Sequence, residues 1–169
     1  RQDDLSFLQN RISMEPEIIT QPAMKLVGIA NQYTDEDLSL PRLWSGFAPY
    51  RDTIANRVGD EFFGIYESYE EAEEGTTFVY ICSARVENFE QVPEGMITRE
   101  MPEQTYARFT HKGPIAQLEE TLRYIWGSWL PKSAYEYEEK PDFELYPAGF
   151  NDADPENKLY LNIPVRKKS

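Results

Sequence analysis

Two short segments near the C-terminus carry the residue types that could recognise a charged ligand. In 142–146 and 159–165, successive side chains should point to opposite faces of a strand. The residues expected to pack beneath a helix are Phe143, Leu145, Leu159, Leu161, Ile163 and Val165. If the two strands are neighbours, Glu144, Tyr146 and Tyr160 converge on the face turned away from the helices. A carboxylate ringed by aromatic side chains attracts a cation through its charge and the ring quadrupoles. The alternative is that Glu144 is a solvated strand residue beside surface tyrosines.

Other catalytic or metal-binding chemistry lacks the residues that it needs. His111 is the single histidine and Cys82 the single cysteine, which excludes a histidine-rich metal site, a cysteine cluster and an intrachain disulfide. His111 precedes a predicted helix, where a structural role is expected. No serine lies in a nucleophile-elbow glycine pattern, and no glycine-rich phosphate loop follows a strand. The sequence therefore predicts no catalytic residue, no metal site and no cofactor.

The chain is strongly acidic, with a formal net charge of −13 over 169 residues. This argues against direct contact with nucleic acid, because phosphate binding needs clustered Lys and Arg. The charge would favour cationic ligands, although most carboxylates, such as those in 70–74, are expected to be solvated surface. No apolar run has the length of a membrane span, and no signal-peptide pattern is present. With a reduced, buried Cys82, these features predict a cytoplasmic protein without membrane contact.

The elements that must position these residues occur twice along the chain. The matching pairs are 22–26 with 102–106 and Tyr80 with Tyr160, both 80 residues apart, 43–49 with 125–131, 82 apart, and 66–67 with 143–144, 77 apart. Two copies of so long a unit do not suggest a solenoid, which needs several short units. The sequence predicts two fused copies of one small module, with a ligand cleft at the seam between them.

Each half is predicted to run strand, helix, strand, strand, which gives an α+β fold with pseudo-twofold symmetry. In the first half we expect a strand at 17–32 bent at Pro22, a helix after Ser39, and strands at 62–69 and 77–86. In the second half we expect a strand at 96–110 bent at Pro102, a helix after Pro114, and strands at 142–146 and 159–165. The second helix has one apolar face, formed by Leu118, Leu122, Ile125 and Trp129.

These elements define a single domain at 14–169. Its two repeats are predicted at 14–92 and 93–166, with a linker at 89–95 that contains Pro93 and Gly95. Residues 1–13 have no counterpart in the repeat, and we expect an N-terminal extension or linker there.

An ordered set of short motifs on this duplicated plan resembles a known family. The motifs are Trp44 and Phe47, then 64–67 (Gly-Ile-Tyr-Glu), 92–95 (Val-Pro-Glu-Gly), 106–113, 129–131 (Trp-Leu-Pro), 143–146 (Phe-Glu-Leu-Tyr) and 163–165 (Ile-Pro-Val). Over residues 14–166 the chain resembles the gyrase-inhibitory-protein-like superfamily. Its members are the effector-binding domains of AraC- and MerR-type regulators, together with stand-alone relatives.

The resemblance implies a cleft between the two modules that takes lipophilic, often cationic, small molecules. The family's glutamate deep in the cleft matches Glu144, and its tyrosine in the last strand matches Tyr160. Trp44 and Phe47 are the aromatic candidates from the first helix, beside Tyr146 on the strand of Glu144. Further candidates, whose contribution the resemblance does not fix, are Tyr33, Tyr66 and Phe109.

Three functions remain open at this point. The first is a sensor or sequestering protein for a lipophilic cation. The second is a hydrolase of a reactive small molecule in which Glu144 activates water as a general base. The third is an inhibitor of a protein partner such as gyrase. The chain has neither the length nor the basic composition for a helix-turn-helix segment, so we expect either a regulator reduced to its sensor or a stand-alone binder. The chain end soon after Val165 favours the stand-alone binder, and a homodimer is left open.

Overall fold

A computed structural model describes residues 15–73 and 75–169, so the extension predicted at 1–13 lies outside the described residues. Within them the strands are β1 (Glu17–Gln21), β2 (Met24–Thr34), β3 (Arg57–Ala72), β4 (Gly75–Val86), β5 (Ile97–Met101), β6 (Gln104–Lys112), β7 (Tyr135–Tyr137), β8 (Asp142–Tyr146) and β9 (Lys158–Lys167). The helices are α1 (Leu40–Arg51), α2 (Leu118–Tyr124) and α3 (Leu130–Lys132). A 3₁₀ turn (Ile115–Gln117) precedes α2, and a π-helical turn (Ile125–Trp129) joins α2 to α3. We call 115–132 the second helical segment.

The strands form one antiparallel sheet whose order is palindromic. The order is β1-β6-β9-β8-β3-β4-β2-β5, with β7 attached to β9. Strands β1 to β4 of the first half correspond in sequence order to β5, β6, β8 and β9 of the second, so exchanging the halves reproduces the same order. The central pair is β3 with β8, one strand from each half. The predicted α+β fold with duplicated modules and pseudo-twofold symmetry is confirmed. The division at 92 and 93 stays a proposal.

The first strand of each half pairs with the second strand of the other half. β1 pairs with β6, and β5 pairs with β2. Pro22 and Pro102 lie at the breaks before β2 and β6, where a residue without a backbone N–H ends a ladder. The strands predicted at 17–32 and 96–110 are therefore two strands each. This exchange ties the halves together through backbone hydrogen bonds at both ends of the sheet.

The two faces of the sheet bury different sets of side chains. On the helix face, α1 and the second helical segment cover a core that includes Phe47, Phe78, Phe109, Leu118, Ile125, Leu159, Leu161, Ile163 and Val165. On the other face, a second cluster consists of strand residues alone: Met24, Leu26, Phe63, Ile65, Ile81, Met101, Tyr106, Phe143 and Leu145. Because strand residues bury one another there, the sheet must curl so that this face closes on itself. Both faces of β8 therefore lie in a core.

The predicted helices are largely as expected. Ser39 precedes α1, with Pro41 in its first turn, although the Ser39 hydroxyl makes no capping hydrogen bond. In the second helical segment, Leu118 and Ile125 are buried, whereas Leu122 and Trp129 pack at the margin of the core. His111 is buried, with hydrogen bonds between its ring and both the Thr121 hydroxyl (2.7 Å) and the Pro114 carbonyl (3.0 Å). These contacts agree with its expected structural role.

Candidate functional site

The site is built around Glu144, in the middle of the sheet. Glu144 lies on β8 opposite Gly64 of β3 and Leu161 of β9. Its side chain is on the helix face, and only 2 % of its surface is exposed. Gly64 makes this position possible, because a Cβ atom there would collide with the Tyr80 hydroxyl and lie 2.8 Å from Oε1 of Glu144. The glycine thus leaves space for a carboxylate at the junction of the two halves.

Three tyrosine hydroxyls donate hydrogen bonds to the Glu144 carboxylate. Tyr80 (2.7 Å) and Tyr146 (3.0 Å) bond to Oε1, and Tyr66 (2.8 Å) bonds to Oε2. Trp44 of α1 extends the network, because its indole N–H donates to the Tyr80 hydroxyl at 2.9 Å. Each donor comes from a different element (β3, β4, β8 and α1), so the carboxylate position depends on the whole tertiary fold.

The electrostatics of Glu144 are those of a buried charge without a cation. None of the ion pairs among the described residues involves Glu144. Burial raises its pKa to about 7, although the three tyrosine hydrogen bonds favour the ionised form and act in the opposite direction. Burial and the Glu144 charge raise the pKa of all three tyrosines, which therefore remain protonated donors. Near neutral pH, a small change at this site would move a proton on or off Glu144.

A second carboxylate lies on the same face of the same strand. Asp142 is two residues before Glu144 and accepts a hydrogen bond from the Tyr69 hydroxyl at 3.2 Å. Burial raises the pKa of Asp142 to about 7 as well, and the nearby Glu144 charge adds to the effect. Two weakly acidic carboxyls therefore lie along β8, and no ion pair within the described part of the chain neutralises either of them.

Aromatic rings separate Glu144 from an open cavity. Trp44 packs on Tyr146 with ring centroids 4.7 Å apart, and it also contacts Phe47 (5.7 Å) and Phe62 (6.3 Å). Above this layer is a cavity of about 520 Å³ between α1, the end of β8 and the loop that follows it. Its walls include Trp44, Phe47, Phe62, Tyr146 and Phe150. The volume is in the usual range for a small-molecule site, and the carboxylate lies directly behind Tyr146.

The structure brings together five of the residues chosen from sequence. Glu144, Tyr146 and Tyr66 form the hydrogen-bonded cluster. Trp44 and Phe47 cover it from α1 and line the cavity. Glu144 is buried, and no ion pair among the described residues includes it. The binding role of these five residues stays a prediction.

The predicted convergence of Tyr160 with Glu144 is wrong. Tyr160 lies opposite Leu145, and both belong to the face away from the helices. There the Arg108 guanidinium lies 6.0 Å from the centre of the Tyr160 ring. Glu144 and Tyr146 are instead on the helix face, and Phe143 and Leu145 pack on the other. Because both faces of β8 are buried, alternation alone could not assign its sides.

The offset assumed for Tyr80 and Tyr160 is also wrong by one residue. Gly64 of β3 lies opposite Glu144 of the central partner strand β8. On its other side, Gly64 lies opposite Cys82 of β4. Glu144 likewise lies opposite Leu161 of β9 on its other side. If Gly64 corresponds to Glu144 at the 80-residue offset that relates Pro22 to Pro102, then Cys82 corresponds to Leu161, 79 residues later. Tyr80 therefore matches Leu159. A one-residue shift moves a strand side chain to the opposite face.

Two other candidates lie away from the cavity. Phe109 is buried in the helix-face core beneath the second helical segment, against Trp129 at 5.1 Å. Tyr33 lies near the end of β2, opposite Phe78 on β4, and is only partly buried. Neither residue lines the cavity beside Tyr146. Their location gives no support to the prediction that they bind ligand.

Four residues of the site were not predicted from the sequence: Tyr80, Gly64, Phe62 and Phe150. A signal for Tyr80 was present, because Phe78, Tyr80, Cys82 and Ala84 alternate along β4 and all belong to the helix-face core. Gly64 carried no chemical signal of its own. Its importance follows only from the strands on either side of it.

The fold and the site together define a domain for binding small molecules. The described residues contain no group of three or more His, Cys, Asp or Glu side chains that could hold a metal ion. Within 15–73 and 75–169, no helix has the length and apolar character needed to cross a membrane. What the site does contain is a buried acid and an aromatic cavity at the junction of two related halves.

The chain belongs to the GyrI-like small molecule binding domain family, whose model matches residues 14–166. It is 31 % identical over 155 residues to the transcriptional regulator BrlR of Pseudomonas aeruginosa. The match covers 90 % of this chain but 56 % of BrlR, so the chain spans only about half the length of that relative.

Solved structures share the fold at lower sequence identity. SAV2435 bound to tetraphenylphosphonium superposes with a TM-score of 0.69 at 15 % identity, covering 90 % of this chain and 94 % of the other. A hydrolase encoded by lin2189 from Listeria innocua superposes with a TM-score of 0.56 at 14 % identity, covering 98 % and 97 %. At these identities the likeness is one of fold alone.

Proposed function

We propose that this domain binds a lipophilic cation in the cavity beside Tyr146, with Glu144 as the counter-charge. The observation that carries the proposal is the Glu144 carboxylate, almost fully buried, held by three tyrosine hydroxyls and without a basic partner in the described chain. Desolvation makes an uncompensated carboxylate costly. A bound cation would remove that cost and lower the Glu144 pKa, so the proton would leave as the ligand enters.

Binding requires a local rearrangement of the aromatic layer. Tyr146 and Trp44 lie between the cavity and Glu144, and their rings are in contact. An aromatic cation can replace that ring contact with ring–ring and cation–π contacts of its own, worth about 2 kcal/mol in a desolvated site. A neutral molecule of the same shape would lack the charge attraction to the carboxylate and the cation–π contacts.

The proposal also draws on similar proteins. SAV2435 has the same fold and was solved with tetraphenylphosphonium, a lipophilic cation. BrlR is a transcriptional regulator. We therefore propose sensing within a regulator rather than sequestration. In a full-length protein that contains this chain, tetraphenylphosphonium should change the affinity for the regulator's DNA site, whereas a sequestering protein would show no such change.

The test of cation binding is calorimetric titration with two ions of matched shape. Tetraphenylphosphonium should bind, and tetraphenylborate, its anionic counterpart, should not. Glu144→Gln should weaken tetraphenylphosphonium binding about tenfold or more, a loss of about 1.4 kcal/mol or more. Glu61→Gln is the control, because Glu61 is an exposed carboxylate on the same sheet and the same substitution removes it. Equal effects of the two variants would remove Glu144 from the binding site.

A hydrolase is the second candidate, and one observation favours it. A pKa of about 7 suits a general base at neutral pH. Against it, the carboxylate already accepts three hydrogen bonds and does not line the cavity. An activated ester or epoxide incubated with the protein would decide between the two. Product that forms with the natural chain and disappears with Glu144→Gln would establish catalysis and replace the binding proposal.

A further inference from the structure

The last residue of α1 places a positive charge at the wall of the cavity. Arg51 is exposed and contributes to the cavity lining together with Phe62, Asp60 and Trp44. Its guanidinium carbon lies 5.7 Å from the centre of the Phe62 ring, within the distance of a cation–π contact. No ion pair found among residues 15–73 and 75–169 includes Arg51.

Phe62 connects this arginine to the buried carboxylate. Phe62 lies directly opposite Tyr146 in the sheet, and Tyr146 donates its hydroxyl to Glu144. The Phe62 ring also contacts Trp44 at 6.3 Å and Phe47 at 6.0 Å. Arg51 therefore rests on the same aromatic layer that covers Glu144, on a ring surface that a ligand could use.

We propose that Arg51 is a specificity-determining residue that competes with cationic ligands for the Phe62 ring. The inference rests on the proposed function. A ligand cation entering the cavity must displace the guanidinium from the ring and tolerate a like charge at the wall. Only ligands whose aromatic surface or second contact with Glu144 outweighs this competition bind well. The side chain thus raises the threshold for binding and favours large aromatic cations over small hydrophilic ones.

A second possible role for Arg51 predicts a different result when the residue is replaced. If Arg51 instead recruits ligand by pairing with an anionic group, its removal weakens binding of zwitterionic ligands and does nothing for a simple cation. Asp60 is exposed beside Arg51 at the cavity wall, and the Asp152 carboxylate accepts a hydrogen bond from the Ile115 backbone N–H at 2.7 Å. Removal of Arg51 therefore leaves a wall whose remaining charges are acidic, which further favours a cation.

The experiment measures the dissociation constant of tetraphenylphosphonium for Arg51→Gln, Arg51→Lys and Arg42→Gln. Arg51→Gln removes the charge and the ring contact, so affinity should rise about three- to fivefold. Arg51→Lys keeps a positive charge in place, so its dissociation constant should be close to that of the unsubstituted protein. Arg42→Gln is the matched control, because Arg42 is exposed on the same helix, away from the cavity, and it should leave affinity unchanged.

The outcomes separate this inference from the function on which it rests. An unchanged or weaker affinity of Arg51→Gln overturns the inference, as does an equal gain in Arg42→Gln, which would indicate a general effect of net charge. Glu144→Gln, measured in parallel, tests the function itself. If Glu144→Gln weakens binding and Arg51→Gln does not strengthen it, the inference alone fails. If neither the unsubstituted protein nor any variant binds tetraphenylphosphonium, both the proposed function and the inference about Arg51 fail.

Discussion

The two halves of the sheet use equivalent positions for different purposes. In the first half, beneath α1, β4 presents Tyr80 and Cys82 to the helix face. The corresponding positions on β9, beneath the second helical segment, are Leu159 and Leu161, which complete an apolar core. The two-module fold therefore does not need a polar cluster. At these equivalent positions, the first half contributes to the polar cluster and the second half contributes apolar side chains to the core.

The central strands, β3 and β8, also carry different residues at equivalent positions. Tyr66 and Tyr146 are 80 residues apart, and both donate hydrogen bonds to Glu144. Gly64 and Glu144 are also 80 residues apart and lie directly opposite each other. On these two strands the tyrosine donor is duplicated, whereas the acid is present once and faces a glycine. A second glutamate at Gly64 would place two carboxylates in one buried space, where both could not be ionised.

Truncating the apolar half should give the largest loss of stability. Leu161→Ala removes a buried side chain from the core beneath the second helical segment and should cost about 2–5 kcal/mol. Urea denaturation followed by circular dichroism measures this loss. Cys82→Ala, at the corresponding position of the first half, should cost far less because fewer atoms are removed. Similar losses at the two positions would contradict the expectation that apolar packing at Leu161 contributes more to stability than packing at Cys82.

The charge of Glu144 should make stability depend on pH. Its folded pKa of about 7 exceeds the ordinary value of 4.5, so the folded state binds more protons between these two values. The contribution of Glu144 to stability should therefore be fully present below about pH 4.5 and be lost as pH rises through 7, by about 3 kcal/mol at most. In Glu144→Gln, the free energy of unfolding should lack this part of its dependence on pH. Asp142 contributes in the same direction, and part of its raised pKa comes from the Glu144 charge. The difference between the two denaturation curves therefore reports Glu144 together with its coupling to Asp142.

Filling the space opposite Glu144 should disrupt the site. Gly64→Ala places a methyl group against Tyr80 and Glu144 and should cost about 1–3 kcal/mol through overpacking. It should also weaken tetraphenylphosphonium binding, measured by calorimetry. Gly46→Ala is the control, because nothing lies within 4 Å of the added carbon and Gly46 lies inside α1. That change should be neutral or slightly stabilising. Full binding by Gly64→Ala would show that this close approach does not matter.

The smallest effect concerns the two tyrosines that sequence analysis paired. Tyr80→Phe removes one hydrogen bond to the ionised carboxylate, so the Glu144 pKa should rise and cation affinity at pH 7 should fall several-fold. Tyr160→Phe should change neither the Glu144 pKa nor the cation affinity, since Tyr160 lies on the opposite face of the sheet. The pH dependence of tetraphenylphosphonium binding measures both variants. A loss in Tyr160→Phe equal to that in Tyr80→Phe would reverse the assignment of faces.

The sequence alone determined the architecture of the duplicated fold and, through the family resemblance, named Glu144 as the candidate central residue of the site. Repeated segments 80 residues apart, alternation in the last strand and an apolar helix face were enough for the α+β plan, because local periodicity follows from the geometry of helices and strands. Glu144 stood out as a carboxylate among aromatic residues. The bends at Pro22 and Pro102 were also predictable, since proline cannot donate a hydrogen bond.

Only the tertiary structure decided which side chains meet. Both faces of β8 are buried, so its alternation of residues is compatible with either orientation, and pairing with β3 and β9 chooses between them. A one-residue difference between the repeats separates Tyr80, which contacts Glu144, from Tyr160, which does not. The exchange of β1 and β5 between halves and the space above Gly64 are long-range features as well. Hydrogen-bond register between distant strands sets all of them, and no local pattern in the chain encodes it.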